Sequence, residues 1–283
     1  MNPGMTLSTR CLPALLAAAT LLLGACANLP APISQARIAE ILASPDRSAA
    51  DRTNDLRRKP ADMLAFLGVR PGMVALDLAA SGGYTTELIA RAVGPTGRGY
   101  GQSRPRDPNS PAPKPPAAEG GAAPATSTPK PPAGPPNSPL ALAERAKNPA
   151  AGNIAAVVRR FEDPVPPELA SNGLDLVTLM FNYHDLGWLN IDRAQMNRAV
   201  FAALKPGGIY VVADHSGRPG TGISESGTLH RIEEAFLRRE VEAAGFRLAE
   251  GGHFLRNPGD PRDKNTPVPA QPKDEFVLKF VKP

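Results

Sequence analysis

At 283 residues, 42% hydrophobic and 21% charged, the chain can bury one substantial core and has little room for a second catalytic domain. Its formal charge of +5 is spread along the sequence and only 5% of residues are aromatic. No basic stripe with interleaved stacking residues results, and nucleic acid is not expected as a partner. The two cysteines, Cys11 and Cys26, both fall near the N-terminus, so the rest of the chain carries neither a disulfide nor a thiol nucleophile.

Residues 1–26 read as an export signal: Arg10 lies in a short polar start, an apolar stretch runs over 12–23, and small residues follow. The stretch is short for a transmembrane helix. Leu23-Gly24-Ala25-Cys26 is similar to a bacterial lipobox, which would make Cys26 the lipidated first residue of the mature chain and its one membrane attachment. Cleavage after Ala27, at Ala25-Cys26-Ala27, is the alternative and yields a soluble periplasmic protein. A third reading takes these residues as an apolar extension ahead of a cytoplasmic protein whose start lies downstream.

From 27 to 58 a Pro-containing linker precedes two helices, one over 33–43 with apolar residues near helical spacing and a charged one over 48–58. Pro60 at a helix start, followed by Met63, Leu64, Phe66 and Leu67, suggests a helix that covers a sheet. A turn at 69–72 then leads into a strand over 73–78, a helix over 85–93 and a second strand over 98–102, which together make a β-α-β unit. Between 104 and 139 the composition changes abruptly, with 13 of the chain's 33 prolines and no apolar periodicity. It reads as a disordered, polyproline II-like insertion into a domain spanning 59–283.

Helical spacing resumes at 140–147, and a strand follows at 154–158. The near-continuous apolar run at 174–181 suits a central parallel strand covered on both faces. A helix over 191–204 should stop at Lys205-Pro-Gly-Gly208 before a strand at 209–213. A single helix is expected over 229–244, then a strand over 246–254 that pairs with the alternating tail at 275–281. This order predicts a doubly wound α/β fold of Rossmann type, mostly parallel with an antiparallel C-terminal pair, and ligands at the carboxyl ends of its strands.

Within that frame, Val74-Ala-Leu-Asp-Leu-Ala-Ala-Ser-Gly-Gly-Tyr-Thr-Thr-Glu87 is the most informative segment. An apolar strand ends at Asp77, turns on Gly82 and Gly83, and enters a helix whose first amides point at whatever lies in the turn. Together with Arg58-Lys-Pro60, Gly68-Val-Arg-Pro-Gly72, Asn182-Tyr-His-Asp185, Lys205-Pro-Gly-Gly208, Asp214-His215 and Leu229-His-Arg-Ile232, it resembles the class I S-adenosylmethionine-dependent methyltransferases. More narrowly, it resembles a bacterial group of predicted methyltransferases.

The resemblance implies S-adenosylmethionine as cofactor and a small-molecule acceptor; it specifies no oligomeric state. It implies that Asp77 anchors the cofactor loop, that Gly82 and Gly83 admit the methionine portion, and that amides near Tyr84 bond its carboxylate. Ala79 and Ser81 stand where the general pattern has glycines, and Ser81 offers a hydroxyl instead. Gln102 falls where an acidic residue usually takes the ribose, and Asp163 where the adenine amino group is bonded. Asn182 joins this cofactor set.

Tyr183, His184 and Asp185 follow the most apolar strand and are the catalytic candidates with His215, His184 or Asp185 serving as base and Tyr183 holding the acceptor. No His-x-x-x-His or similar spacing occurs, so the histidines are read as hydrogen-bonding groups and no metal is assigned. Two other functions fit the same residues. One is a binding or scaffold lipoprotein that keeps the fold without transfer chemistry; the other is a metal-assisted hydrolase built on His184, His215 and His230.

Overall fold

The apolar runs of this chain are almost wholly buried, and covering them on both faces sets the architecture. The computed structural model describes residues 1, 30–105, 138–267 and 269–283. Among these, seven strands form one sheet: β1 (Val74–Leu78), β2 (Arg98–Ser103), β3 (Ile154–Val158), β4 (Leu174–Met180), β5 (Leu204–His215), β6 (Arg247–Gly252) and β7 (Glu275–Val281). Their order is β3-β2-β1-β4-β5-β7-β6. The first five are parallel, and β7 runs antiparallel between β5 and β6. The expected doubly wound sheet with an antiparallel end is therefore present, and its order reverses between β1 and β4, where a crevice opens at the carboxyl ends.

Helices α1 (Gln35–Ala43), α3 (Pro60–Leu67) and α4 (Tyr84–Val93) cover one face, where Ile38, Ile41, Leu64, Leu67, Leu88 and Ile89 meet Leu176, Val211 and Ala213. The other face carries α6 (Asp185–Trp188), α7 (Arg193–Ala203) and α9 (Glu234–Glu242), which bring Leu186, Met196, Val200, Leu237 and Val241 onto Leu76, Val177 and Val212. Side chains of Ser34, Ser48 and Asp192 accept amide hydrogen bonds at the starts of α1, α2 (Ala49–Arg58) and α7, satisfying donors the helices cannot pair themselves. Residues Ala31–Pro283 make one compact unit, and Met1–Pro30 is described only at its two ends. The export signal at 1–26 and most of the Pro-rich insertion at 104–139 lie outside the described residues. No helix of those described is long and apolar enough to cross a membrane.

Three sequence expectations need correction. Lys205-Pro-Gly-Gly208 does not precede β5 but lies within it: Leu174 pairs with Leu204 and Leu176 with Ile209, so residues 205–208 bulge out of the ladder, with Gly207 at a φ of 75°. The helix expected over 229–244 is broken in two. A short α8 (Ser226–Leu229) ends at His230, whose φ of 50° terminates it, and α9 begins only at Glu234. The strand expected over 246–254 shortens to β6, which shifts register between Leu248 and Glu250.

Helix α5 (Ser138–Arg145) docks through fully buried Leu142, which packs with Ala80, Ala90, Ala151 and Ile154. It lies so close to the sheet that a Cβ on Gly83 or Gly101 would come within 2.7 Å of the Leu142 side chain. Leu142→Ala should therefore destabilise the chain by about 3 kcal/mol, read as a lowered denaturation midpoint with an unchanged slope. A change under about 0.5 kcal/mol would mean that α5 is not held this way in solution.

Candidate active site

The β1 segment ends in a buried carboxylate because two hydroxyls reach it from neighbouring elements. Asp77 accepts from Thr86 of α4 at 2.7 Å and from Thr178 of β4 at 2.8 Å. Burial nevertheless dominates and pushes its carboxyl up to about 6, against those two hydrogen bonds and the positive charge of Arg58.

Beyond Asp77 the backbone turns through Ala79 and Ser81, at φ of 52° and 50°, in the left-handed region that favours glycine. The side chain of Gln102 closes this turn. Its Oε1 accepts from the Ala79 amide at 3.0 Å and its Nε2 donates to the Arg159 carbonyl at 2.7 Å. Gln102 is fully buried in that role and does not line the cleft, so the sequence assignment to the ribose is corrected.

Around this turn lies a cleft of about 1060 Å³. Its floor includes Asp77, Ala79, Ser81 and Gly82 from the β1 turn, Tyr84 and Thr85 from the start of α4, and Phe181, Asn182 and Asp185 beyond β4. The two glycines do different work. A Cβ on Gly82 would meet nothing within 4 Å, so this position opens to the cleft, whereas Gly83 is enclosed by Leu142 and Arg145.

The remaining walls come from α2 and α5, which sequence reasoning did not assign to the site. Arg145 of α5 donates to the Gly82 carbonyl at 2.6 Å, binds Asp51 through two hydrogen bonds of 2.7 and 2.8 Å, and also pairs with Glu87. Burial would lower the Arg145 pKa, but these carboxylates outweigh it and raise it. Tyr84 donates its hydroxyl to Asp55 at 2.7 Å. Arg58 sits 4.0 Å from the centre of the Phe181 ring. In the sequence α2 reads only as a charged helix ahead of the main domain.

Past β4 the candidates separate. Phe181 has a φ of 62°, and the turn it makes sends Tyr183 away from the cleft. The Tyr183 ring is fully buried on the opposite face, where its hydroxyl donates to Glu240 at 3.0 Å and accepts from Asn197 at 2.8 Å. It cannot hold an acceptor, which corrects that role. Asn182 stays in the cleft, with its amide donating to the Met180 carbonyl at 3.0 Å.

His184 is held from two sides. Its Nδ1 lies 2.6 Å from Asp214 and its Nε2 lies 3.1 Å from Asp185. Burial would lower its pKa, but the fully buried Asp214 and then Asp185 outweigh that and raise it to about 10. The two carboxylates thus favour the protonated ring, which works against His184 as the base. Asp185 lines the cleft, and its carboxyl is held down to about 2, where burial is outweighed by hydrogen bonding to His184.

His215 stacks near His184, with ring centres 5.4 Å apart, and its Nδ1 lies 2.9 Å from Glu275. It opens onto a separate cavity of about 480 Å³ shared with Arg57, Arg256 and Lys273 rather than onto the main cleft. Asp163 is mostly exposed and pairs with Arg159, and it does not reach the cleft, a correction to the adenine assignment.

Because the folded Asp77 carboxyl titrates near 6 and the unfolded one near 3.9, the native chain binds the proton more tightly. For this group, stability is greatest below about pH 4 and falls as pH rises toward 6, by about 1.4 kcal/mol per unit of the shift. Asp77→Asn, whose amide can still meet both threonines, should raise the ligand-free unfolding free energy at pH 7 and leave it nearly unchanged at pH 4. A variant less stable at both pH values would show that the charge is not disfavoured there.

No family model matches the chain, and neither does any curated protein. Solved structures do. A SAM-dependent methyltransferase from Aquifex aeolicus superposes with a TM-score of 0.54 at 14% identity, over 89% of this chain and 100% of that one. An arsenic (III) S-adenosylmethionine methyltransferase from Chlamydomonas reinhardtii gives 0.51 at 15% identity, over 87% and 73%. The cyclase SpnF gives 0.50 at 16% identity, over 90% and 98%. With the strand order and the crevice between β1 and β4, these likenesses show that the chain has the class I methyltransferase fold.

Proposed function

We propose that the chain is an S-adenosylmethionine-dependent methyltransferase acting on a small-molecule acceptor. The carrying observation is the cleft at the reversal point of the sheet, which the glycine turn enters with an open Cβ direction at Gly82. The residues present suit the cofactor: the first turn of α4 and Arg58 favour a carboxylate, while Asp77 and Asp185 favour cationic groups. Bound S-adenosylmethionine supplies a methyl group on a sulfonium centre, transferred in line to an acceptor lone pair.

The chain's own part is positioning. Asp185 can accept a hydrogen bond from the acceptor and orient its lone pair. A carboxyl held down to about 2 is too weak a base to remove a proton early. His184 holds its own proton and serves to fix Asp185. Acceptors that ionise readily, or that lose their proton after transfer, fit this site.

We also propose that the protein is exported and faces the periplasm, anchored through Cys26 or, after cleavage following Ala27, soluble there. One observation favours a second reading, a binding or scaffold lipoprotein without transfer activity: Gln102 and Asp163, the residues placed to hold the adenosine, are engaged elsewhere. A cofactor made in the cytoplasm also has no evident supply outside it.

Calorimetric titration with S-adenosylmethionine and S-adenosylhomocysteine decides between them. Micromolar binding is expected, weakened at least about tenfold by Gly82→Val, whose Cβ would meet nothing within 4 Å. The variant's melting temperature should match that of the parent chain. No heat and no thermal shift at millimolar ligand would overturn the methyltransferase reading in favour of the second.

A further inference from the structure

We propose that His184, Asp185 and His230 form a binding site for one divalent transition-metal ion of the zinc class at the edge of the cleft. The candidate ligand atoms all lie within 4.8 Å of one another. Asp185 Oδ1 is 3.1 Å from His184 Nε2 and 3.4 Å from His230 Nδ1. Two ligands bound at about 2.05 Å to a tetrahedral ion lie roughly 3.3 Å apart, so both spacings already match. The two imidazole rings meet edge-on, at 87° with centres 5.5 Å apart, which lets their nitrogens converge on one point.

The surroundings supply what such a site needs. His184 Nδ1 bonds the fully buried Asp214, the carboxylate–histidine arrangement that orients a ligating imidazole and raises its basicity. Trp188 donates its indole N–H to Asp185 Oδ1 at 2.9 Å and fixes that carboxylate.

Two glycines allow α6 and α8 to approach. A Cβ on Gly187 would lie 2.7 Å from Ile223, and one on Gly227 would lie 3.3 Å from Trp188. His230, at the end of α8, is thereby brought onto Asp185. Without an added cation, Asp185 and Asp214 flank one imidazole with two negative charges. A dication between the ligands neutralises both, bound at Asp185 Oδ1 and at His184 Nε2 3.1 Å away.

Two imidazoles and one carboxylate favour zinc-class ions over magnesium or calcium, which take oxygen ligands. Three protein ligands leave a fourth position for water or an acceptor heteroatom. A role for the ion in orienting and acidifying an acceptor hydroxyl or thiol rests on the methyltransferase reading; the binding does not.

The test uses the full, tag-free chain, stripped with chelator and titrated with Zn²⁺ and Co²⁺ by calorimetry and visible absorption, without cofactor. One equivalent should bind at micromolar strength or tighter, and Co²⁺ should show the intense visible bands of tetrahedral coordination. His230→Ala and Asp185→Asn should each weaken binding at least about tenfold, with circular dichroism unchanged. His253→Ala, on an exposed loop residue, should leave it unaltered. Binding weaker than millimolar, or equal in all variants, overturns the proposal. Metal binding without any cofactor binding would instead sink only the methyltransferase reading, and the converse would sink only this one.

Discussion

Asp77 ties together the three elements that define the cleft. Its carboxylate ends β1, takes a hydroxyl from Thr178 on β4 and another from Thr86 in the first turn of α4. A buried carboxylate with fewer partners would be far costlier, so the pair of threonines makes its placement possible at all. The result is a fixed distance between the two strands at which the sheet order reverses, and a fixed origin for α4. The open Cβ direction at Gly82 and the position of Asn182 both follow from that arrangement.

The parts of this fold that were legible from sequence are those in which burial and local conformation agree. The apolar run of β4, the glycine turn after β1 and the alternating tail each announce their element, and each element is observed, although β7 is buried on both faces. Misreadings occur where local chemistry and long-range pairing conflict. Lys205-Pro-Gly-Gly208 looks like a stop between helix and strand, yet the ladder begins at Leu204 and carries these residues as a bulge. His230 sits inside an apparently continuous helical pattern, and its left-handed conformation is set by the packing of α8 on α6, which no local periodicity encodes. Tyr183 departs from its expected place for a similar reason. Polar and aromatic residues after a central strand suggest a cleft, but the positive φ at Phe181 turns the chain so that Tyr183 enters the opposite core.

Gln102 carries a structural task at the end of β2. Ala79 and Ser81 adopt a conformation that costs a non-glycine residue on the order of 1 kcal/mol or more. Such strain persists only when neighbours over-determine it. The Gln102 side chain holds the Ala79 amide, and the Gln102 carbonyl accepts from the Ala80 amide at 2.8 Å. An acidic residue at 102 could accept from Ala79 but could not donate to the Arg159 carbonyl. Non-glycine residues in the turn and a neutral amide at the end of β2 thus support one another physically.

That arrangement shifts the work of the cleft to elements outside the minimal sheet. With Gln102 buried and Asp163 paired to Arg159, the polar groups that face the space beside Asp77, Ser81, Tyr84 and Thr85 come from α2, α5 and the residues beyond β4. Arg145 is central to this, because it bridges Asp51 of α2, Glu87 of α4 and the Gly82 carbonyl at once. Removing that guanidinium would leave two poorly solvated carboxylates facing each other, a larger penalty than the loss of the ion pairs themselves. The N-terminal helices are therefore coupled to the glycine turn through charge as well as through the packing of Ile38 and Ile41. A ligand that enters beside Gly82 meets a wall whose shape depends on all three helices, so differences in α2 and α5 alone can change what this fold accepts while the sheet beneath stays the same.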